Sequence, residues 1–134
     1  MAGSTSLVGK LGVKDGHVVA VLRGPDGWLV PDLPPGVDLR TSTPRRADVV
    51  VVFVRHAAEL GRRLPTLGRV VFPDGALWVA WPRKAAGHVS DVDEQGIRDL
   101  ALPTGLVDVK VAMLSEDWSG LKLVWRKERR GAGA

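Results

Sequence analysis

Apolar and polar positions alternate along this chain in blocks, and one block stands apart from the rest. Within Ala47–Arg55, an unbroken apolar run, mostly β-branched, extends from Val49 to Val54. It is too short to span a membrane and lacks a helical period. Such a run predicts a strand covered on both faces, as in a parallel sheet. After it, Ala57, Leu60, Leu64, Leu67 and Val71 step by three or four. That spacing predicts a helix with one stripe against the sheet. Pro65 falls inside it and is expected to kink or restart it. Pro73-Asp74-Gly75 predicts a tight turn into a second apolar strand, Ala76–Trp81. There Leu77, Val79 and Trp81 face one way, and Trp78 and Ala80 the other. Strand, helix and strand make a βαβ unit at the centre of a small α/β sheet.

The remaining blocks extend that unit. Leu7, Val8 and Leu11 share a helical face, with Gly12 as its stop. Asp15-Gly16 predicts a turn into a first strand, His17–Arg23, which Gly24-Pro25-Asp26-Gly27 breaks. Trp28-Leu29-Val30 fits one helical turn before Pro34-Pro35-Gly36. Val37–Thr41 alternates with period two and predicts a partly exposed edge strand. Thr43–Arg46 is read as a loop, and Pro82–Gly87 as a flexible basic one. Asp91 and Glu94 have capping-box spacing ahead of a helix that buries Ile97, Leu100 and Ala101. Leu106–Leu114 predicts a strand, Ser115–Gly120 a hairpin connection, and Leu121–Trp125 an antiparallel closing strand. The expected strand order is 2-1-3-4-6-5, numbered along the chain, with only the last antiparallel.

Composition narrows the possibilities. A chain of 134 residues, 45% hydrophobic, predicts one domain over 1–134, with flexible ends at about 1–5 and 128–134. Cysteine is absent, which excludes disulfides and thiolate metal sites. The first residues lack a secretory pattern and no apolar stretch suits a membrane helix, so a cytoplasmic protein is expected. The formal net charge is +4 and the pI about 10.0. Arg126, Lys127, Arg129 and Arg130 stand against Glu128 at the C-terminus, leaving the body near +1. The basicity thus reads as a solvated tail, and nucleic acid is not the expected partner.

The order of elements resembles a trimmed class I methyltransferase fold, most strongly from Asp48 to Trp125. Pro73-Asp74-Gly75-Ala76-Leu77-Trp78-Val79 looks like that family's "PGG" turn and following strand. The resemblance implies a single three-layer Rossmann-like domain and an S-adenosylmethionine site. In that family the cofactor sits on a loop of pattern E/D-x-G-x-G-x-G after strand one, with an acidic residue ending strand two. Here the loop is Arg23-Gly24-Pro25-Asp26-Gly27 and strand two ends Leu39-Arg40-Thr41. Pro25 removes a backbone donor, and Arg40 stands where a carboxylate is expected. Lys10-Leu11-Gly12, Gly75-Ala76-Leu77-Trp78, the Pro82-x-Lys84 step and Asp117–Val124 resemble, more closely, a small actinobacterial family of unknown function.

Familiar catalytic arrangements are missing. His17, His56 and His88 are dispersed and lack metal-ligand spacing. No serine lies in a G-x-S-x-G elbow, and no GxxxxGK[ST] phosphate loop occurs. Trp78, Trp81 and Trp125 read as core. Trp118 either closes the hairpin against the sheet or offers a stacking platform. Open α/β sheets bind ligands at the carboxyl ends of their strands, where strand order reverses. Arg23, Asp26, Arg55, Arg83, Lys84, Trp118 and Ser119 all come to that edge. Arginines there suit an anion, or else pair with Asp26, Glu116 and Asp117 as a solvated surface. The expected function is a non-enzymatic, methyltransferase-like module for a small anionic ligand or protein partner. The alternatives are a divergent S-adenosylmethionine-dependent methyltransferase and a nucleic-acid accessory protein using the basic tail.

Overall fold

The computed structural model describes residues 6–132. Its six strands are β1 (Val18–Leu22), β2 (Asp38–Arg40), β3 (Val49–Phe53), β4 (Ala76–Pro82), β5 (Leu106–Met113) and β6 (Trp118–Trp125). Four helices accompany them: α1 (Leu7–Leu11), α2 (Ala57–Val71), α3 (Glu94–Ala101) and α4 (Lys127–Ala132). The sheet order is β2-β1-β3-β4-β6-β5, as the pattern predicts. β1 pairs in parallel with β2 and β3, β3 in parallel with β4, and β6 antiparallel with both β4 and β5.

β3 lies inside the sheet and every one of its residues is buried. Alternate side chains enter two cores. Val50, Val52, Leu77, Val79 and Trp81 meet Leu60, Leu64 and Leu67 of α2 and Ile97 of α3. Val49, Val51, Phe53 and Trp78 meet Leu11 of α1, Leu114 and Trp118. Among the described residues the second face carries one short helix, α1. Trp28, Val30, Leu33 and Val37 of the long β1–β2 connection complete its cover. Trp78 is fully buried, and its indole N–H donates to the carbonyl of Leu11 at 3.2 Å. This bond ties α1 to the sheet and satisfies a donor that water cannot reach.

Two glycines permit close approaches. A Cβ on Gly75 would lie 2.8 Å from the carbonyl oxygen of Ala47 and 2.9 Å from that of Val71. On Gly120 it would lie 2.8 Å from Leu114 and 3.0 Å from Trp78. The glycine of Asp117-Trp118-Ser119-Gly120 therefore lets two core side chains close over β6.

Several local expectations change. Trp28–Val30 is not helical. The Trp28 N–H donates to the Pro25 carbonyl across Gly27 (φ 77°), closing a turn instead. α2 runs through Pro65 without a restart. Pro65 is exposed on the outer flank, while Leu60, Leu64, Leu67, Val70 and Val71 pin the inner one. That packing outweighs the ~3 kcal/mol an interior proline costs. The N-cap of α3 is Asp93, whose carboxylate accepts from Gly96 N–H, not Asp91. Asp91 instead accepts from the Ala57 N–H at 2.9 Å, capping α2 from another segment. The connection after β4 contains a 3-10 turn, Lys84–Ala86, stopped by Gly87. Trp118 belongs to β6 rather than to the hairpin loop. β2 is exposed throughout rather than half-covered. β5 carries a bulge between Asp108 and Lys110. Of the expected flexible ends, 1–5 and 133–134 lie outside the described residues, while Lys127–Ala132 is α4. Among the described residues no helix is long and apolar enough to cross a membrane.

Candidate functional site

After β1 the chain crosses to β2 on one side, and after β3 to β4 on the other. A crevice must therefore open above β1 and β3, at their carboxyl ends. A cleft of about 320 Å³ lies there, lined by Arg23, Gly24, Phe53, Arg55, Glu59 and Trp118. Phe53, the last residue of β3, forms its floor. Trp28 and Trp118 meet Phe53 edge-on, at 4.8 and 4.9 Å between ring centroids. Both aromatic contacts have the perpendicular geometry that the ring quadrupole favours.

Two arginines flank this floor in different states. Arg23 follows β1 in the left-handed region (φ 59°) and sends its guanidinium to Glu59 at 2.8 Å. Glu59 is the acid in the first turn of α2, and its side chain is 14% exposed. Arg55 stacks on Trp118, its guanidinium carbon 4.9 Å from the ring centroid. It forms no ion pair with a carboxylate among the described residues. A cation over an indole gains ~0.5–1 kcal/mol when exposed, and leaves its N–H donors available. The returning β4–α3 connection holds the Arg55 backbone. Ser90 donates through Oγ to the Arg55 carbonyl at 2.8 Å, next to the Asp91 cap on Ala57.

Of the residues expected on this rim, Arg23, Arg55 and Trp118 share the cleft. Trp118 is also buried, so its closing role and its place beneath Arg55 coexist. The other four stand elsewhere. Asp26 is exposed in the turn after β1. Arg83 donates to the Glu116 carbonyl at 2.5 Å and through its N–H to the Asp117 carbonyl at 2.8 Å, tying the exit of β4 to the β5–β6 hairpin. Lys84 is exposed in the 3-10 turn. Ser119 sits in β6 between Trp81 and Met113. The expected acidic partners differ too. Arg23 pairs with Glu59, and Asp117 faces His88 at 2.9 Å. Gly24, Phe53 and Glu59 escaped the sequence reading. Glu59 stands four residues past Arg55, a spacing that places a first-turn carboxylate beside the strand end, but its partner is distant in the chain.

The chain belongs to a family of proteins of unknown function, DUF3052, whose model matches residues 36–127. The match takes in Phe53, Arg55, Glu59 and Trp118, and begins after β1. Among curated proteins none matches the DUF3052 chain in sequence. Its fold is shared with class I methyltransferases. It is similar to a SAM-dependent methyltransferase from Aquifex aeolicus (TM-score 0.57, 13% identity, covering 87% of this chain and 86% of that one). It is similar to the fibrillarin pre-rRNA processing protein of Methanococcus jannaschii (0.61, 10%, 84% and 67%). It also resembles magnesium protoporphyrin IX methyltransferase from Synechocystis PCC 6803, solved with bound SAM (0.57, 12%, 90% and 74%). At such identities the likeness is one of fold.

The fold raises the question of S-adenosylmethionine, and the residues of this DUF3052 protein do not fit it. The β1 exit offers Pro25, without an N–H, and its turn is closed on the chain itself by Trp28. A Cβ on Gly24 would meet Val21 at 3.3 Å and Phe53 at 3.6 Å, so this glycine fits the loop closely against the Phe53 ring. At the end of β2, Arg40 stands where the methyltransferase pattern has an acidic residue. Arg40 forms a two-point bond with Asp38, at 2.9 Å each, and that hydrogen bond holds the Asp38 carboxyl below the usual range. The Arg23–Glu59 pair adjoins the crevice as well.

Proposed function

We propose that this DUF3052 protein is a non-enzymatic binding module on a methyltransferase-like fold, and that its cleft takes a small ligand bearing a phosphate or carboxylate. The observation that carries this reading is Arg55. Its charge sits at the switch point of the sheet, stacked on a buried indole and lacking a carboxylate partner. A guanidinium so placed offers a pre-oriented fork to an anion. Phe53 and Trp118 give the body of the ligand apolar contact, while Arg23 is neutralised by Glu59 and adds little net charge.

A panel of nucleotides, sugar phosphates and carboxylic acids, read by thermal shift and then calorimetry, tests the proposal. At least one member should bind, and Arg55→Ala should weaken it about tenfold or more, since a charge-assisted hydrogen bond contributes ~1.5–3 kcal/mol. Micromolar binding of S-adenosylmethionine or its homocysteine product would favour a divergent methyltransferase instead. Absence of binding across the panel would sink the small-ligand reading.

A further inference from the structure

A body charge near +1 conceals a local imbalance on the outer flank of α2. Thr43, from the β2–β3 connection, joins Arg62, Arg63, Thr66 and Leu67 around a groove of about 180 Å³. One turn further along, Arg69 reaches back to the Thr66 hydroxyl at 3.4 Å. The connection then follows the helix. At its far end the Ala47 N–H donates to the Val70 carbonyl at 3.0 Å. Arg45 and Arg46, both exposed, lie between these two anchor points. The helix thus sets Arg62, Arg63 and Arg69 along one ledge, and Arg45 and Arg46 lie on the connection that runs past it. None of the five makes an ion pair with a carboxylate among the described residues. Glu59, the acid of α2, is held by Arg23, and Asp48 accepts the Val18 N–H. Asp48 and Asp74 share a shallow cleft with Arg46 at the amino edge, away from Arg62 and Arg63.

We propose that this ledge binds the phosphodiester backbone of a nucleic-acid strand. Guanidinium forks match phosphate oxygens in two-point fashion. Arg62 and Arg69 are seven residues apart, about 10 Å along a helix at ~1.5 Å per residue, so the row outreaches a single phosphate. Repeated phosphates suit it better than one small anion. No aromatic side chain lines the groove, and its hydroxyls, on Thr43 and Thr66, point to backbone contact without base reading. The site stands apart from the carboxyl-edge cleft and does not rest on its assignment. It also differs from the basic tail, since it belongs to the folded body.

Fluorescence anisotropy with a labelled single-stranded oligonucleotide about twenty nucleotides long tests it, at low and rising salt. The full-length protein should bind, with affinity falling steeply as salt rises. Combined Arg45→Gln, Arg46→Gln, Arg62→Gln, Arg63→Gln and Arg69→Gln should abolish binding. Arg62→Gln with Arg69→Gln alone, both exposed and safe for folding, should lower the slope of log K against log salt by about 0.7 per arginine. Arg126→Gln, Lys127→Gln, Arg129→Gln and Arg130→Gln together should leave most binding intact. Binding that vanishes with the tail charges, or survives the loss of Arg62 and Arg69 with its slope unchanged, overturns the proposal. So does absence of binding at low salt. Equal affinity for polyglutamate would assign the ledge to an acidic protein surface instead.

Discussion

The two ends of the sheet treat their polar groups differently. At the amino edge Asp48 and Gly75 find their partners within the protein. The Asp48 carboxylate accepts the Val18 N–H at 2.8 Å, and the Gly75 N–H meets the Val71 carbonyl at 2.8 Å. Gly75 leaves no room for even a methyl group. At the carboxyl edge the floor is aromatic, and one cation, Arg55, rests on a ring rather than on an acid. The contrast separates construction from recognition. Asp48 and Gly75 are bonded to the backbone they help to fix. The proposed anion site rests on a group of the other kind, with free donors above an apolar floor.

Substitutions can break this contrast, and the largest effects should come from the enclosed side chains. Trp118→Ala removes a buried indole that supports Phe53 and Arg55 together. It should cost ~3–5 kcal/mol in chemical denaturation. Gly75→Ala should come next, at ~2–3 kcal/mol, because carbonyl oxygens of Ala47 and Val71 are rigid backbone and must shift. Asp48→Ala should cost less, ~0.5–1.5 kcal/mol, because water can replace the carboxylate at this exposed bond to the Val18 N–H. A Gly75→Ala protein as stable as the parent would remove the close-packed amino edge from the account. Arg55→Ala should change stability by only ~0.5 kcal/mol, since an exposed cation on a ring adds little.

The smallest expected effect is on pH. Arg98 hydrogen-bonds Asp108 at 2.8 Å and also pairs with Glu94. The bond to Arg98 holds the Asp108 carboxyl below its ordinary value. A depressed folded-state pKa contributes stability above the unfolded-state value and loses it as pH falls through the folded one. Acid should therefore weaken the protein slightly below about pH 4, the ordinary aspartate range. Asp108→Asn should flatten that part of a melting-temperature profile.

The parts of this molecule that could be read in advance are those where local pattern has one physical solution. An uninterrupted apolar run from Val49 to Val54, mostly β-branched, predicts a strand covered on both faces, and Val49–Phe53 is one. Right-handed crossovers around it leave few strand orders. The misreadings arise where partners are distant in the chain. Asp91 stands at capping distance from Glu94, yet caps Ala57 because the β4–α3 connection folds back over α2. Trp28 opens a helix-like trio, yet its ring is drawn onto Phe53. At the cleft, Arg23, Arg55 and Trp118 could be placed on the rim. Which arginine is neutralised depends on Glu59, and that pairing has no signature in the order of residues. Arg83 looked equivalent to Arg55, but the β5–β6 hairpin supplies it with carbonyls.

The central claim is that Arg55 marks a small-anion site on a methyltransferase-like fold that does not take S-adenosylmethionine. Its most direct test is a thermal-shift comparison of the parent protein and Arg55→Ala. Both are exposed to one panel of phosphates and carboxylates, with S-adenosylmethionine included. A phosphate or carboxylate should raise the melting temperature of the parent and not of the variant, while S-adenosylmethionine moves neither. A shift with S-adenosylmethionine, or an anion-induced shift that persists without Arg55, would contradict the claim.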